Sequence, residues 1–318
     1  VTEVKQLYEG GKIRIDVRPK PDMPTATKSP NVETVCVGQT LTLTGVNGGS
    51  GGVGTCNVQY RYSTNGGSSY TAWSTSLPSF AATGTNNRIQ IRRNCTGNGC
   101  ESEINTYVWT VVPDPILSAP TNVSICYGGN ATFTSNLSNG TGVQNPVWQY
   151  SANGTSGWTN VVAGTPSNST YSGQATATLA VSGNIPAGTY YYRRHLPATG
   201  VGCDATSSVA KLTVTAPPNA GALSGNQAIC VSGTTTFTTN GNSGGSWTSS
   251  NTSIATVNSS TGLITGVSAG TATITYTVTG TGGCGNATAT RTVTVTAPPV
   301  AGTISGNQNI CEGQTTTF

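Results

Sequence analysis

Thr215–Phe237 reads TAPPNAGALSGNQAICVSGTTTF, and Thr296–Phe318 reads TAPPVAGTISGNQNICEGQTTTF, nearly the same text 81 residues further on. A period this long is a whole domain rather than a solenoid turn, so the chain reads as a string of domains. Each copy opens with a Pro-Pro hinge and a small-residue linker, then a strand that carries one cysteine. The second copy breaks off at Phe318 and the chain opens on Val1, so both ends read as cuts from something longer.

Working outward, 318 residues allow two or three domains. Charged residues make up only 8%, and Thr/Val alternation recurs with Trp and Tyr in every unit. That is the composition of many short, half-buried strands joined by Gly/Asn turns. The net charge is +4, and from Leu212 onward only Arg291 and Glu312 are charged. No Lys/Arg cluster of the kind nucleic acid requires is present. No run approaches the ~20 apolar residues of a membrane helix.

Nine cysteines fall into classes. Cys36, Cys126, Cys230 and Cys311 each precede a Gly and a Thr-rich strand. Cys100, Cys203 and Cys284 sit in Gly-rich loops before a domain's last strand, the latter two 14 residues ahead of a Pro-Pro hinge. The repeat predicts Cys36–Cys100, Cys126–Cys203 and Cys230–Cys284, with Cys56–Cys95 as an extra pair and Cys311 bonded beyond residue 318. Spacing alone leaves other connectivities open. Without CxxC and with His195 as the single histidine, zinc is the weaker reading of these thiols. Disulfides imply an oxidising compartment, and loops of roughly 50–80 residues would each contribute about 3–5 kcal/mol in the chain-entropy model.

In order along the chain, residues 1–20 read as a hairpin from a preceding unit. Pro19, Pro21, Pro24 and Pro30 read as a linker. A first domain at 24–113 has strands expected near 33–37, 40–45, 57–63, 70–74, 87–94 and 105–112, with a hairpin turn at Thr64-Asn65-Gly66-Gly67. A second, 114–216, repeats its plan. Trp148-Gln149-Tyr150-Ser151-Ala152-Asn153-Gly154 matches the stretch from Val58 to Gly66, Trp158 matches Trp73, and Tyr190–Arg194 matches Arg88–Arg93. A third, 217–297, differs inside, and 298–318 begins a further domain.

In that third domain, Thr261-Gly262-Leu263-Ile264-Thr265-Gly266-Val267-Ser268-Ala269-Gly270-Thr271-Ala272-Thr273-Ile274-Thr275 closely resembles the bacterial Ig-like family, group 2. The resemblance covers about 80 residues and implies an Ig-like β-sandwich. The predicted Cys230–Cys284 pair departs from that family's pattern. The W-Q-x-S-x-N-G turn, the later Trp and the Tyr-Tyr-Arg-Arg strand make the first two domains resemble disulfide-bearing Ig-like repeats of giant Bacteroidetes surface proteins, such as gliding-motility adhesins. That likeness implies export by the type 9 secretion system. The expected architecture is all-β, tandem Ig-like sandwiches like beads on a string.

Candidate sites are few. His195 lacks the oriented partners of a nucleophile mechanism, and Glu101 and Glu103 follow Cys100 in a turn rather than facing across a cleft. Asp occurs only at 16, 22, 114 and 204, and Asp114 in the Pro113–Pro115 hinge offers one ligand where Ca²⁺ needs six to eight. No cofactor or enzyme activity is expected. Tyr60, Tyr62, Trp73, Trp148, Tyr150 and Trp158 form the candidate ligand surface, with core packing as the competing reading. In Arg92-Arg93 and Arg193-Arg194 one Arg of each pair is expected to face out, solvated or stacked on Tyr. The functional expectation is the stalk of a cell-surface adhesin for attachment or gliding. Its partners would be an extracellular surface or polysaccharide and outer-membrane secretion or motility proteins. Glycan-binding modules and a self-assembling filament are the alternatives.

Overall fold

The computed structural model describes residues 4–9, 12–96, 100–139, 145–198, 203–306 and 308–317. No helix occurs among them. Compactness divides the chain into two units, Val1–Val123 with Asn130–Gly183 and Thr189–Leu212, and Ser124–Gly129 with Asn184–Gly188 and Thr213–Phe318. The strands fall into an N-terminal hairpin and three successive sets of sheets, which makes the chain a tandem of Ig-like β-sandwiches.

Strands β1 (Val4–Glu9) and β2 (Lys12–Val17) form the hairpin. The first sandwich has β3 (Thr25–Ser29), β4 (Thr34–Cys36), β5 (Thr40–Asn47), β6 (Cys56–Ser63), β7 (Phe80–Ala81), β8 (Asn86–Cys95) and β9 (Asn105–Val112). Its sheets are β3-β5-β7 and β4-β9-β8-β6. Leu41, Leu43, Ile89, Ile91, Trp109 and Val35 fill the space between them. Alternation does this: in β8 Ile89 and Ile91 are fully buried while Arg88, Gln90 and Arg92 lie on the other face. The Trp109 indole N–H, which burial would otherwise orphan, donates to the Pro30 carbonyl at 2.9 Å.

The second set has β10 (Ile116–Leu117), β11 (Val123–Cys126), β12 (Ala131–Thr134), β13 (Leu137–Ser138), β14 (Val147–Ser151), β15 (Thr159–Asn160), β16 (Ser169–Ser172), β17 (Thr178–Gly183), β18 (Gly188–Leu196), β19 (Ala205–Thr206) and β20 (Ala210–Thr215). They pair as β10-β13, β12-β17-β16 and β11-β20-β18-β14-β15, with β19 on β18. Phe133, Trp148, Leu179, Val181 and Tyr192 are buried, and the Phe133 and Tyr192 rings stack at 5.1 Å.

The third set has β21 (Leu223–Ser224), β22 (Ala228–Cys230), β23 (Thr234–Thr236), β24 (Thr238–Thr239), β25 (Ser246–Ser249), β26 (Ala255–Val257), β27 (Leu263–Gly266), β28 (Gly270–Val278) and β29 (Ala287–Thr296). They pair as β21-β24, β23-β27-β26 and β22-β29-β28-β25. Ala272, Ile274, Tyr276 and Val278 point into a core with Phe237, Trp247, Ile264 and Val293, and the intervening Thr residues point away. Gly262 of the TGLITG run has φ +72°, and a Cβ there would meet the Phe237 carbonyl oxygen at 2.4 Å. Only glycine fits that corner.

Four sequence expectations change. The proline-rich linker contains β3, which extends the sheet edge of β5. Residues 70–74 form no regular strand; along the open edge of β6 they contribute a bridge from Ser74 to Tyr60 and a hydrogen bond from the Thr71 N–H to the Tyr62 carbonyl at 3.0 Å. In the Asn65 turn the left-handed residues are Gly66 (φ +74°) and Gly67 (φ +90°), while Asn65 accepts the Ser69 N–H through its side chain. The turn is an Asx-type corner rather than an Asn-Gly two-residue hairpin. Residues 298–317 contain no strand among those described. The reason is visible in the earlier copy, where β22 is a strand through its parallel pairing with β29 at the far end of the same sandwich. Among the described residues no strand pairs with Asn309–Cys311.

Candidate functional site

The cysteines are the most distinctive chemistry of the chain, and their positions follow from strand direction. The first-strand cysteines end short strands that pair parallel to the last strand of their own sandwich. Cys36 in β4 lies beside Val112 at the end of β9, and Cys230 in β22 lies beside Thr296 at the end of β29. Cys126 ends β11 next to β20, and Tyr127 N–H donates to the Thr215 carbonyl at 2.9 Å. These cysteines therefore sit where the chain leaves each sandwich. The loop cysteines precede the last strand and so sit at its opposite end.

A ten-residue strand such as β29 is about 30 Å long. Disulfide-bonded Cα atoms lie within about 7 Å of each other. A first-strand cysteine thus cannot reach the loop cysteine of its own sandwich, which overturns Cys36–Cys100, Cys126–Cys203 and Cys230–Cys284. The bonds are Cys36–Cys203 and Cys126–Cys284, with Cα–Cα distances of 5.7 and 4.7 Å. Each joins the first-strand cysteine of one sheet set to the loop cysteine of the next. Cys56–Cys95, on directly opposed residues of β6 and β8, is the pair that the sequence reading gives. Cys100, Cys230 and Cys311 are free, the first buried and the others exposed.

Local structure holds the loop cysteines in place. After Cys100, Ser102 crosses back onto β8, and its hydroxyl accepts the Arg93 N–H at 2.8 Å. After Cys203, Ser207 does the same for Arg194 at 2.9 Å. Both serine N–H groups donate to the carbonyl of that arginine. This shared Ser anchor escaped the sequence reading, since its spacing from the cysteine differs in the two copies. The residues 97–99 and 200–202, the glycines of the GNGC and GVGC motifs, lie outside the described residues.

The aromatic surface divides. Trp148 is fully buried and Tyr60 only 9% exposed, so these two belong to the cores. Tyr62 stacks on Phe80 at 4.3 Å, and Tyr150 packs toward Tyr190 and Tyr192. Trp73 and Trp158 remain half-buried over guanidinium groups. Trp73 lies over Arg61 and Arg92, at 4.5 and 4.2 Å from ring centroid to Cζ, and Trp158 over Arg193 at 4.3 Å. The outward Arg of each pair is therefore the first, and it stacks on Trp rather than Tyr. A cross-strand glutamine fixes it: Gln59 Oε1 accepts from Arg92 and Gln149 Oε1 from Arg193. The second Arg turns inward, Arg93 toward the Gly48 carbonyl and Arg194 toward the Ser135 carbonyl. Burial lowers the pKa of both Arg193 and Arg194.

The remaining titratable candidates are spread out. His195, one residue before the end of β18, has Nδ1 at 3.1 Å from the Thr206 hydroxyl and Nε2 at 3.6 Å from Asp204. Glu101 pairs with Arg92 at 2.6 Å. Glu103 pairs with Lys20, whose hydrogen bond and charge hold its carboxyl below the usual range. Asp114 approaches the sulfurs of Cys36 and Cys203 within 4.8 Å. Two sulfurs joined in a disulfide offer no thiolate to a metal, and Ca²⁺ takes oxygen ligands.

Residues 208–293 match the model of the bacterial Ig-like domain (group 2). No curated protein sequence matches the chain. Among solved structures, the chain is similar to Sidekick-1 immunoglobulin domains 1–4, at 15% identity over 84% of this chain and 73% of that one, with a TM-score of 0.35. It is similar to the C-terminal 282-residue fragment of intimin, solved with the intimin-binding domain of its translocated receptor, at 15% identity over 57% and 64%, TM-score 0.32. It is also similar to Drosophila OTK extracellular domains 3–5, at 13% identity over 86% and 96%, TM-score 0.29. The chain is an all-β run of disulfide-bearing Ig-like repeats, a fold that typically carries no catalysis.

Proposed function

We propose that this chain is a load-bearing stretch of the stalk of a long, secreted cell-surface adhesin that serves attachment or gliding, with repeats limited near 24–113, 114–216 and 217–297. The observation that carries this reading is the stagger of Cys36–Cys203 and Cys126–Cys284, which links successive repeats covalently. Such links stabilise any domain, but only a tether under tension also gains a limit on its extension. Disulfides also require an oxidising location, the cell surface or beyond. Export by the type 9 pathway and an extracellular surface or polysaccharide as partner belong to the same reading.

The test is made on cells that display the parent protein. Antibody against this stretch should label intact cells. Replacing Cys36, Cys126, Cys203 and Cys284 with Ser should leave labelling intact and lower the shear at which cells detach. Unlabelled intact cells, or equal detachment shear at equal labelling, would refute the reading.

A further inference from the structure

We propose that the exposed face around Cys230 is the receiving half of a further inter-repeat disulfide, and that its occupant is the Gly-rich cysteine loop of another repeat of this protein. The inference deepens the stalk reading and rests on it. Its warrant is that the chain holds an occupied and an unoccupied version of one site.

The occupied version is at Cys126. Tyr127 N–H donates to the Thr215 carbonyl at 2.9 Å, and Gly129 N–H to the Cys126 carbonyl at 2.8 Å. Cys284 Sγ lies 3.5 Å from the Thr215 carbonyl oxygen and 3.7 Å from that of Ala216. The loop approaches so closely because it carries glycines. A Cβ on Gly282 would fall 2.1 Å from the Thr215 hydroxyl, and Gly283 has φ +87°, a backbone that favours glycine.

The second version repeats both backbone hydrogen bonds on the receiving side. Val231 N–H donates to the Thr296 carbonyl at 3.0 Å, and Gly233 N–H to the Cys230 carbonyl at 2.9 Å. Thr296-Ala297-Pro298-Pro299 stands where Thr215-Ala216-Pro217-Pro218 stands at the occupied site. The Cys230 thiol is exposed, with the Thr296 hydroxyl 3.8 Å away. A loop of the Thr281-Gly282-Gly283-Cys284 kind would find the same carbonyls, the same threonine and a sulfur in the same place. The bond forms by loss of two S–H bonds. The two protons and two electrons pass to a low-molecular-weight disulfide such as oxidised glutathione, which leaves as two thiols.

The experiment inserts a second copy of residues 217–297 between Ala297 and Pro298 and oxidises the chain in a glutathione buffer. Non-reducing peptide mapping then reads the bonds. The expected result is Cys126–Cys284 together with a new bond from Cys230 to the inserted copy of Cys284. Cys230→Ser should leave that inserted cysteine open to alkylation. The same map on the native secreted protein gives an independent reading, with Cys230 expected on a peptide from a Gly-rich loop of a later repeat. Cys230 recovered alkylated, or bonded to Cys100 or Cys311, while Cys126–Cys284 is intact, overturns this inference alone. Absence of Cys126–Cys284 as well overturns the staggered stalk with it.

Discussion

Pulling the chain by its ends converts the disulfide connectivity into lengths. From Cys36 to Cys284 the backbone runs 248 residues (284 − 36), about 870 Å fully extended at about 3.5 Å per residue. With both staggered bonds closed, force takes the shortest covalent route, across Cys36–Cys203, back along the 77 residues to Cys126 (203 − 126), and across Cys126–Cys284. That route extends to only about 270 Å, so reduction should release about 600 Å. The informative perturbation is removal of one bond at a time. Without Cys36–Cys203 (both Ser), force runs 90 residues from Cys36 to Cys126 and crosses to Cys284, a gain of about 45 Å. Without Cys126–Cys284 it crosses Cys36–Cys203 and runs the 81 residues to Cys284 (284 − 203), a gain of about 15 Å. Only the fourfold Ser variant should release the full length. Single-molecule force spectroscopy on the 318-residue chain, with and without reductant, measures each case. Bonds inside each repeat predict otherwise: losing a Cys36–Cys100 bond alone would free 64 residues (100 − 36), about 220 Å. A single-pair variant that gains more than about 100 Å would therefore refute the staggered connectivity.

Three other outcomes follow from the packing. Trp148→Ala removes a fully buried ring and its hydrogen bond to the Thr176 carbonyl at 3.0 Å, and should cost about 3–5 kcal/mol in urea unfolding. Gly262→Ala forces a Cβ against the Phe237 carbonyl at positive φ and should cost roughly 1–3 kcal/mol by the same assay, with a loss confined to the third sandwich. Burial raises the pKa of Tyr150, Tyr171, Tyr190 and Tyr192, most strongly Tyr192. The unfolded chain ionises its tyrosines near the ordinary value of about 10 while the folded chain keeps those protons, so the stability is complete below that pH and falls above it. Melting temperature should stay level to about pH 9 and then decline, and Tyr192→Phe should make the decline shallower.

Much of the fold was legible because alternation speaks directly of a two-sided sheet. Ala272, Ile274, Tyr276 and Val278 stand at alternate positions with Thr between them, a spacing that puts them on one face of a strand, and the structure buries all four. Trp148 and Tyr60 read as core or as ligand surface, with core packing the favoured reading. Burial of a side chain depends on which sheet lies over it, and no local pattern carries that. β3 was hidden for a local reason: Pro24 and Pro30 bracket it, and an edge strand tolerates prolines that a central strand would not. The Arg–Trp stacks were half legible. The repeated Gln, Arg-Arg and Trp positions signalled a conserved arrangement between the two copies within this chain, but the choice of Trp over Tyr required the turn that brings 73 and 158 back across the sheet.

The disulfides show where sequence reasoning went astray and how it could have gone right. The repeat correctly sorted the cysteines into two classes, and the error was to assume that a domain closes on itself. Position along the last strand decides the matter. A first-strand cysteine beside the end of that strand and a loop cysteine before its beginning are separated by the strand's whole length, about 30 Å for β29. A repeat built with one of each cannot bond internally without losing the parallel edge pair Cys230–Thr296 or Cys36–Val112. It can bond only to its neighbours, one on each side. Three repeats then form two rungs and leave over the loop cysteine of the first and the first-strand cysteine of the third. Cys100 and Cys230 are those two, and both are free. The same geometry that forbids the internal pair thus accounts for which thiols bond and which do not. It also makes the covalent path redundant: when either bond is lost the other still shortens the chain, and while both hold, the segment from Cys126 to Cys203 is the shortest link between Cys36 and Cys284 and tightens first.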